Sequence, residues 1–221
     1  EVGEESDSFV TVKYAHLGMA VMGLHTPVIV DGINERGLMG ALLNFPEYAV
    51  YDTQLSKNNI NVHPGFLTGY LLGQCGNVDE VIKYLSFVNL TDEKIFGEAM
   101  SVHYIFCDCA GESVVIEPEA GGIQIHRDCL GVMTNSPDYL WHKTNLRNYI
   151  AVTNLHTPPQ KIIDMEFSCF GKGTGGGFGL PGDYSSPSRF VRVAMMKNFA
   201  VKGKDEIDGI SKMFHNFSAV D

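Results

Sequence analysis

Short apolar runs broken by tight polar turns dominate the first half of the chain, a pattern that predicts strands rather than long helices. Residues 17–23 (LGMAVMG), 26–30 (TPVIV) and 38–45 (LMGALLNF) are three such runs. Asn34 to Gly37 (NERG) reads as the turn into the third, and Pro46 ends it. A helix is predicted from Pro64, a good first-turn residue, through GFLTGYLLGQC. Asn77 followed by Glu80 gives an N-cap with a capping-box-like partner, and Val78, Val81, Ile82 and Leu85 repeat at helical spacing. SVHYIFCD, SVVIEPE and IQIHRD then alternate as a meander, with turns at Ala110-Gly111 and Gly121-Gly122.

In the second half the rhythm becomes helical. Ser136-Pro137-Asp138 reads as cap, proline and acid at a helix start, followed by Tyr139, His142, Leu146 and Tyr149 on one face. MEFSCF is a candidate strand, Ser186-Pro187 opens another helix, and from Asp205 a last helix carries Ile207, Ile210, Phe214 and Phe217. Strands arrive in antiparallel batches with helices between them, so residues 1–221 are expected to form one α+β domain. The chain starts at Glu and ends in FHNFSAVD with helical periodicity still running, so both ends are expected to be cut.

Composition narrows the partners. The 221 residues are 44% hydrophobic and 19% charged, enough for a sizeable core. A formal charge of −10 repels phosphate backbones and anionic membranes, so neither nucleic acid nor membrane is an expected partner. The start, EVGEESDSFV, lacks a signal peptide's basic and apolar regions, and no apolar run approaches the roughly 20 residues that cross a bilayer. Five cysteines without framework spacing suit a reducing compartment, and the cytoplasm is expected. The sequons at Asn89 and Asn216 matter only in a secreted protein. Cys107 and Cys109, placed on one strand, would present both thiols on one face and are read as buried structural cysteines rather than a metal site.

Gly171, Gly173 and Gly176 satisfy G-x-G-x-x-G, but Leu180, Pro181, Gly182 and Asp183 follow before a helix can begin. A dinucleotide loop needs its third glycine at a helix opening, where free N–H groups face the pyrophosphate. No cofactor is therefore expected, and the segment reads as a bend leading to Arg189. That arginine sits in a helix's first turn, where the dipole disfavours a cation, so either Asp183 or Asp138 pairs with it or the bend holds its guanidinium for an anionic group. Asn135, between LGVMT and a proline-opened helix, and Asn44, before Phe45-Pro46, both lie at ends of apolar runs, where catalytic donors and ordinary turn residues look alike.

Taken together, DGINERGL, LNFPEY, GVMTNSPDYLWHKTNLRNY and GLPGDYSSPSRFVR resemble, in order and over nearly the whole chain, the choloylglycine hydrolases. That family comprises bile salt hydrolases and penicillin V acylases of the N-terminal-nucleophile superfamily. The resemblance implies a four-layer αββα sandwich, incomplete in this chain, and a homotetramer. It also implies an N-terminal cysteine whose thiol attacks an amide while its own α-amino group manages protons, with groups titrating at about 8.5 and about 7.7–8.0. Residue by residue, Asn44 matches the residue whose backbone N–H helps form the oxyanion hole, Asn135 the one giving its side-chain amide, and Arg189 the arginine beside the nucleophile. The nucleophilic cysteine and the arginine and aspartate that follow it have no counterparts here, so the chain is expected to be a fragment that does not catalyse by itself.

Asn at position 44, as in many bile salt hydrolases, points to conjugated bile salts; VMTNSPDYLWH and GDYSSPSRF look as close to the acylases, which leaves penicillin V as the alternative. Both are anionic amides. A catalytically inactive binding relative is the remaining reading.

Overall fold

The computed structural model describes residues 11–23, 26–92, 94, 100–127, 129–170 and 176–218. Its contacts gather into two units, Glu1–Gly131 and Val132–Asp221. In chain order the first carries β1 (His16–Gly23), β2 (Thr26–Asn34), β3 (Met39–Asn44), β4 (Ile60–Val62), α1 (Leu67–Gln74), α2 (Val78–Leu85), β5 (Val88–Leu90), β6 (Val102–Cys107), β7 (Ser113–Glu119) and β8 (Gly122–His126). The second carries α3 (Tyr139–Leu146), β9 (Gln160–Ile162), β10 (Met165–Phe167), α4 (Ser186–Phe199) and α5 (Glu206–Ser218).

Six strands of the first unit form one antiparallel sheet in the order β1-β2-β3-β6-β7-β8. The NERG turn does more than reverse the chain. Gly37 takes φ +79, which a residue with a Cβ rarely adopts, and Asn34 accepts from the Arg36 and Leu38 amides at 3.0 Å each. The other end of the same side chain donates to the carbonyls of Leu72 and Cys75, at 2.8 and 2.6 Å, and so closes the last turn of α1 onto the sheet. Asn77 caps α2 as its spacing predicts, accepting from the Glu80 amide at 2.9 Å, while Glu80 reaches back to the Gly76 amide.

The two helices bury Leu67, Leu71, Leu72, Val78 and Val81 against Leu42, Tyr104, Phe106, Val114 and Ile116 of the sheet. Each such side chain contributes about 1.5–3 kcal/mol by leaving water. Gly40 belongs to this packing, because a Cβ there would stand 2.4 Å from the Phe106 ring. Tyr104 reaches the Pro64 carbonyl at 2.7 Å, which fixes the short 3-10 turn, Pro64–Phe66, that leads into α1.

On the opposite face, Leu17, Ile33 and Met39 lie in register across β1, β2 and β3. All three are exposed, Leu17 by 78%. The α+β class is as expected, and a helix layer packed on the six-stranded sheet forms the core of this unit. Among the described residues the remaining strands are two small pairs, parallel β4-β5 and antiparallel β9-β10.

In the second unit α3 and α4 meet through aromatic contacts: Phe190 lies edge-on to Tyr139 and stacks on His142 at 4.5 Å. The start of α3 differs from the sequence reading. Asp138, not Ser136, is the cap, extended at ψ 161 with its carboxylate accepting from the Trp141 amide at 2.8 Å, so Ser136 and Pro137 precede the helix. Gly171 and Gly173 lie outside the described residues. Gly177 and Gly179 follow Gly176 at φ +79 and +88, and α4 opens only at Ser186, as expected of a bend rather than a dinucleotide loop.

Candidate active site

Arg189 and Asn135, far apart in sequence, meet in the second unit. Nη2 of Arg189 donates to Oδ1 of Asn135 at 2.8 Å, and its Nε donates to the Tyr184 carbonyl at 3.1 Å. A guanidinium can only donate, so the atom it faces is the amide oxygen, and Nδ2 becomes the donor end of the Asn135 side chain. The position of Arg189 near the positive end of α4 is thus compensated by two neutral oxygens. Neither carboxylate considered from the sequence plays that part. Asp138 caps α3, and Asp183 accepts from the Ser185 amide at 2.9 Å and the Ser188 hydroxyl at 2.6 Å. Those donors on Ser185 and Ser188 hold the Asp183 carboxyl well below the usual carboxylate range.

The bend before α4 is built from its own backbone. Arg192, one turn further along, donates to the carbonyls of Pro181 and Asp183 at 3.0 and 2.6 Å. Ser185 caps the helix, and Ser186 sends its hydroxyl back to the Asn135 carbonyl at 2.6 Å, 3.0 Å from the Thr134 hydroxyl. From α3, His142 brings Nε2 within 3.0 Å of that same carbonyl, while its ring stacks on Phe190, the neighbour of Arg189. Asn135 is thereby held at its backbone by α3 and α4 and at its side chain by Arg189. His142, Ser186 and Arg192 were not singled out from sequence. A histidine at helical spacing reads as one more core residue, and only the three-dimensional contact shows that its polar edge reaches the Asn135 backbone.

In the first unit Asn44 is the exposed last residue of β3, opposite Val102. Its neighbour Phe45 is fully buried, bonds to the Ser101 carbonyl through its amide at 2.7 Å, and stacks on His103 at 4.3 Å. The strand then turns away, with Glu47 at φ 70. Asn44 thus closes β3 immediately before the chain turns.

The cysteines behave otherwise than expected in one respect. β6 ends at Cys107, and Cys109 lies exposed in the turn beyond it, so the two thiols do not share a strand. Cys75 is buried, and burial pushes its thiol up to about 12, which removes it as a nucleophile at neutral pH. Among the described residues no group of three His, Cys, Asp or Glu side chains could hold a metal ion.

A strand-end asparagine in one unit and an arginine-clamped asparagine in the other are the features that comparison with known proteins has to explain. The profile of "Linear amide C-N hydrolases, choloylglycine hydrolase family" matches residues 1–221. The chain belongs to the choloylglycine hydrolase family. A bile salt hydrolase/transferase of Clostridium perfringens is 36% identical over 97% of this chain and 65% of its own length. One of Lactiplantibacillus plantarum is 35% identical over 94% of this chain and 64% of its own. The crystal structure of a variant of conjugated bile acid hydrolase from Clostridium perfringens superposes with a TM-score of 0.85 at 33% identity, covering 96% of this chain and 65% of that one. Penicillin V acylase from Agrobacterium tumefaciens shares the fold, with a TM-score of 0.70 at 21% identity over 95% of this chain and 56% of that one. The chain thus spans just under two thirds of the length of these bile salt hydrolases, and the fold is that of this hydrolase family. Among the described residues no helix is long and apolar enough to cross a membrane.

Proposed function

We propose that the whole protein hydrolyses the amide bond of glycine- or taurine-conjugated bile salts, with an N-terminal cysteine as nucleophile and residues 1–221 acting as one domain. The observation that carries this is the Arg189–Asn135 pair, which fixes the amide oxygen of Asn135 and leaves Nδ2 as the donor end of that side chain, in a chain whose relatives are bile salt hydrolases. In this reading the thiolate attacks the amide carbonyl. The oxygen gains negative charge and takes hydrogen bonds from the two donors that the family resemblance implies, Nδ2 of Asn135 and the backbone N–H of Asn44, while the α-amino group passes the thiol proton to the leaving amine. Water then cleaves the thioester to free bile acid and thiol.

Arg189 serves twice, fixing the amide oxygen of Asn135 and supplying a positive charge that favours thiolate and oxyanion. Among the described residues no disulfide joins the five cysteines, which fits the cytoplasm as the working compartment, and the family resemblance carries a homo-oligomer. The test is a panel of glycocholate, taurocholate and penicillin V with the whole protein, reading the released amine. Faster release from the bile salts is expected, together with a shift toward penicillin V in Asn44→Tyr. Penicillin V as the faster substrate of the wild type would refute the assignment.

A further inference from the structure

The sheet buries a polar cluster that the proposed mechanism does not use. Glu117 on β7 is fully buried, with Oε1 3.0 Å from Nδ1 of His103 on β6 and Oε2 3.1 Å from Nε2 of His126 on β8. The carboxylate thus joins three adjacent strands. His103 is 1% exposed, and its other ring nitrogen, Nε2, finds no hydrogen-bond partner among the described residues. Because a carboxylate oxygen accepts, Nδ1 carries the hydrogen of this bond. The ring is held by one edge only, and its flat face lies against Phe45 with centroids 4.3 Å apart and planes within 10°.

An apolar ring would fill this volume without burying a carboxylate. What the histidine adds is a fixed rotation: Glu117 pins the edge, and the pinned face sets the plane of Phe45. Phe45 is the residue at which β3 becomes a turn, and the peptide that carries the Asn44 N–H, between Leu43 and Asn44, lies one residue before it. Ladder bonding of the Phe45 amide to Ser101 and the His103 stack on its ring hold Phe45 on both sides, and so limit how the strand end before it can swing. Donors to a developing oxyanion have to be placed to within about 0.5 Å.

We propose that His103, anchored by Glu117 and thereby by His126, is a positioning residue that holds the Asn44–Phe45 strand end in register for its backbone donor. The proposal rests on the reading of Asn44 given above. His103→Asn separates the two roles of the ring, since the asparagine amide can still reach Glu117 while the stack on Phe45 is lost. A backbone donor that acts on the oxyanion affects the transition state more than the ground state, so in the whole protein kcat for glycocholate should fall about tenfold with KM within about twofold. Amide exchange at Asn44 and Phe45 should quicken about tenfold while β1 and β2 stay protected. Phe45→Leu, which leaves the His103–Glu117 bond intact, should reproduce both effects, and combining it with His103→Asn should add little further loss.

Unchanged kcat with unchanged exchange overturns the proposal. So does a rise in KM matching the loss in kcat/KM, which would make His103 a substrate contact, and so does full additivity of the two substitutions. Absent bile salt turnover in the wild type would refute the functional reading, while exchange at Asn44 and Phe45 still decides this inference.

Discussion

Replacing Asn135 by Asp separates the stability of the arginine clamp from its chemistry. The carboxylate matches the amide in shape and places an anionic oxygen 2.8 Å from Nη2 of Arg189. A partly exposed ion pair of this kind is worth up to about 1 kcal/mol. In a domain of this size that raises Tm by about 2–4 °C. Catalysis moves the other way, because the substitution removes the Nδ2 donor and sets an acceptor oxygen where negative charge develops. Loss of one oxyanion donor costs about 100- to 1,000-fold in kcat, or roughly 2.7–4 kcal/mol, and the added charge can only deepen it. The assay is release of glycine from glycocholate by the whole protein, paired with calorimetric melting of the same preparation. A protein that melts no lower than wild type yet loses at least about 100-fold in kcat is the expected result. An Asn135→Asp enzyme within about fivefold of wild type would refute the oxyanion role of Asn135 and the reasoning from the clamp.

Arg189→Lys keeps the positive charge but not the fork that reaches both Asn135 and Tyr184, and a fall in kcat of about tenfold is expected; equal activity would show that charge alone suffices. His142→Phe keeps the stack on Phe190 but removes a donor from the Asn135 carbonyl, and should cost about 1 kcal/mol of stability by denaturant melts, with a smaller loss of rate than Asn135→Asp. Burial holds the Cys75 thiol and the Tyr51 phenol up to about 12, from ordinary values of 9.0 and 10.0. The folded state therefore keeps these protons longer than the unfolded state, so their linkage leaves stability intact below pH 9.0 and lowers it as pH rises toward about 12. Melting followed across that window should show Tm falling, more weakly in Cys75→Ala.

Much of the fold is legible because its signals are local. β1, β2 and β3 follow from apolar runs and a turn whose glycine has to take positive φ, and α2 follows from its cap and spacing. The three-residue pair β4-β5 escapes such reading, because Ile60–Val62 and Val88–Leu90 are too short to show a period and become strands only by pairing across α1 and α2. The start of α3 was misplaced because Ser-Pro-Asp offers two caps in three residues, and only the Trp141 contact chooses Asp138. The site divides in the same way. Arg189 stood out as a cation at the wrong end of a helix, and the structure supplies its partner, the side chain of Asn135. His142 and the His103–Glu117–His126 cluster gave no such signal. β6 is buried at His103 and at both neighbours, so the alternation that marks an inward polar residue is absent there.

Mass spectrometry of the whole protein, quenched during turnover of glycocholate, reads the nucleophile itself. A cholyl thioester on an N-terminal cysteine, forming as glycine is released, is the expected result. Turnover without that adduct, or an adduct on Cys75, Cys107, Cys109, Cys129 or Cys169 instead, would contradict it.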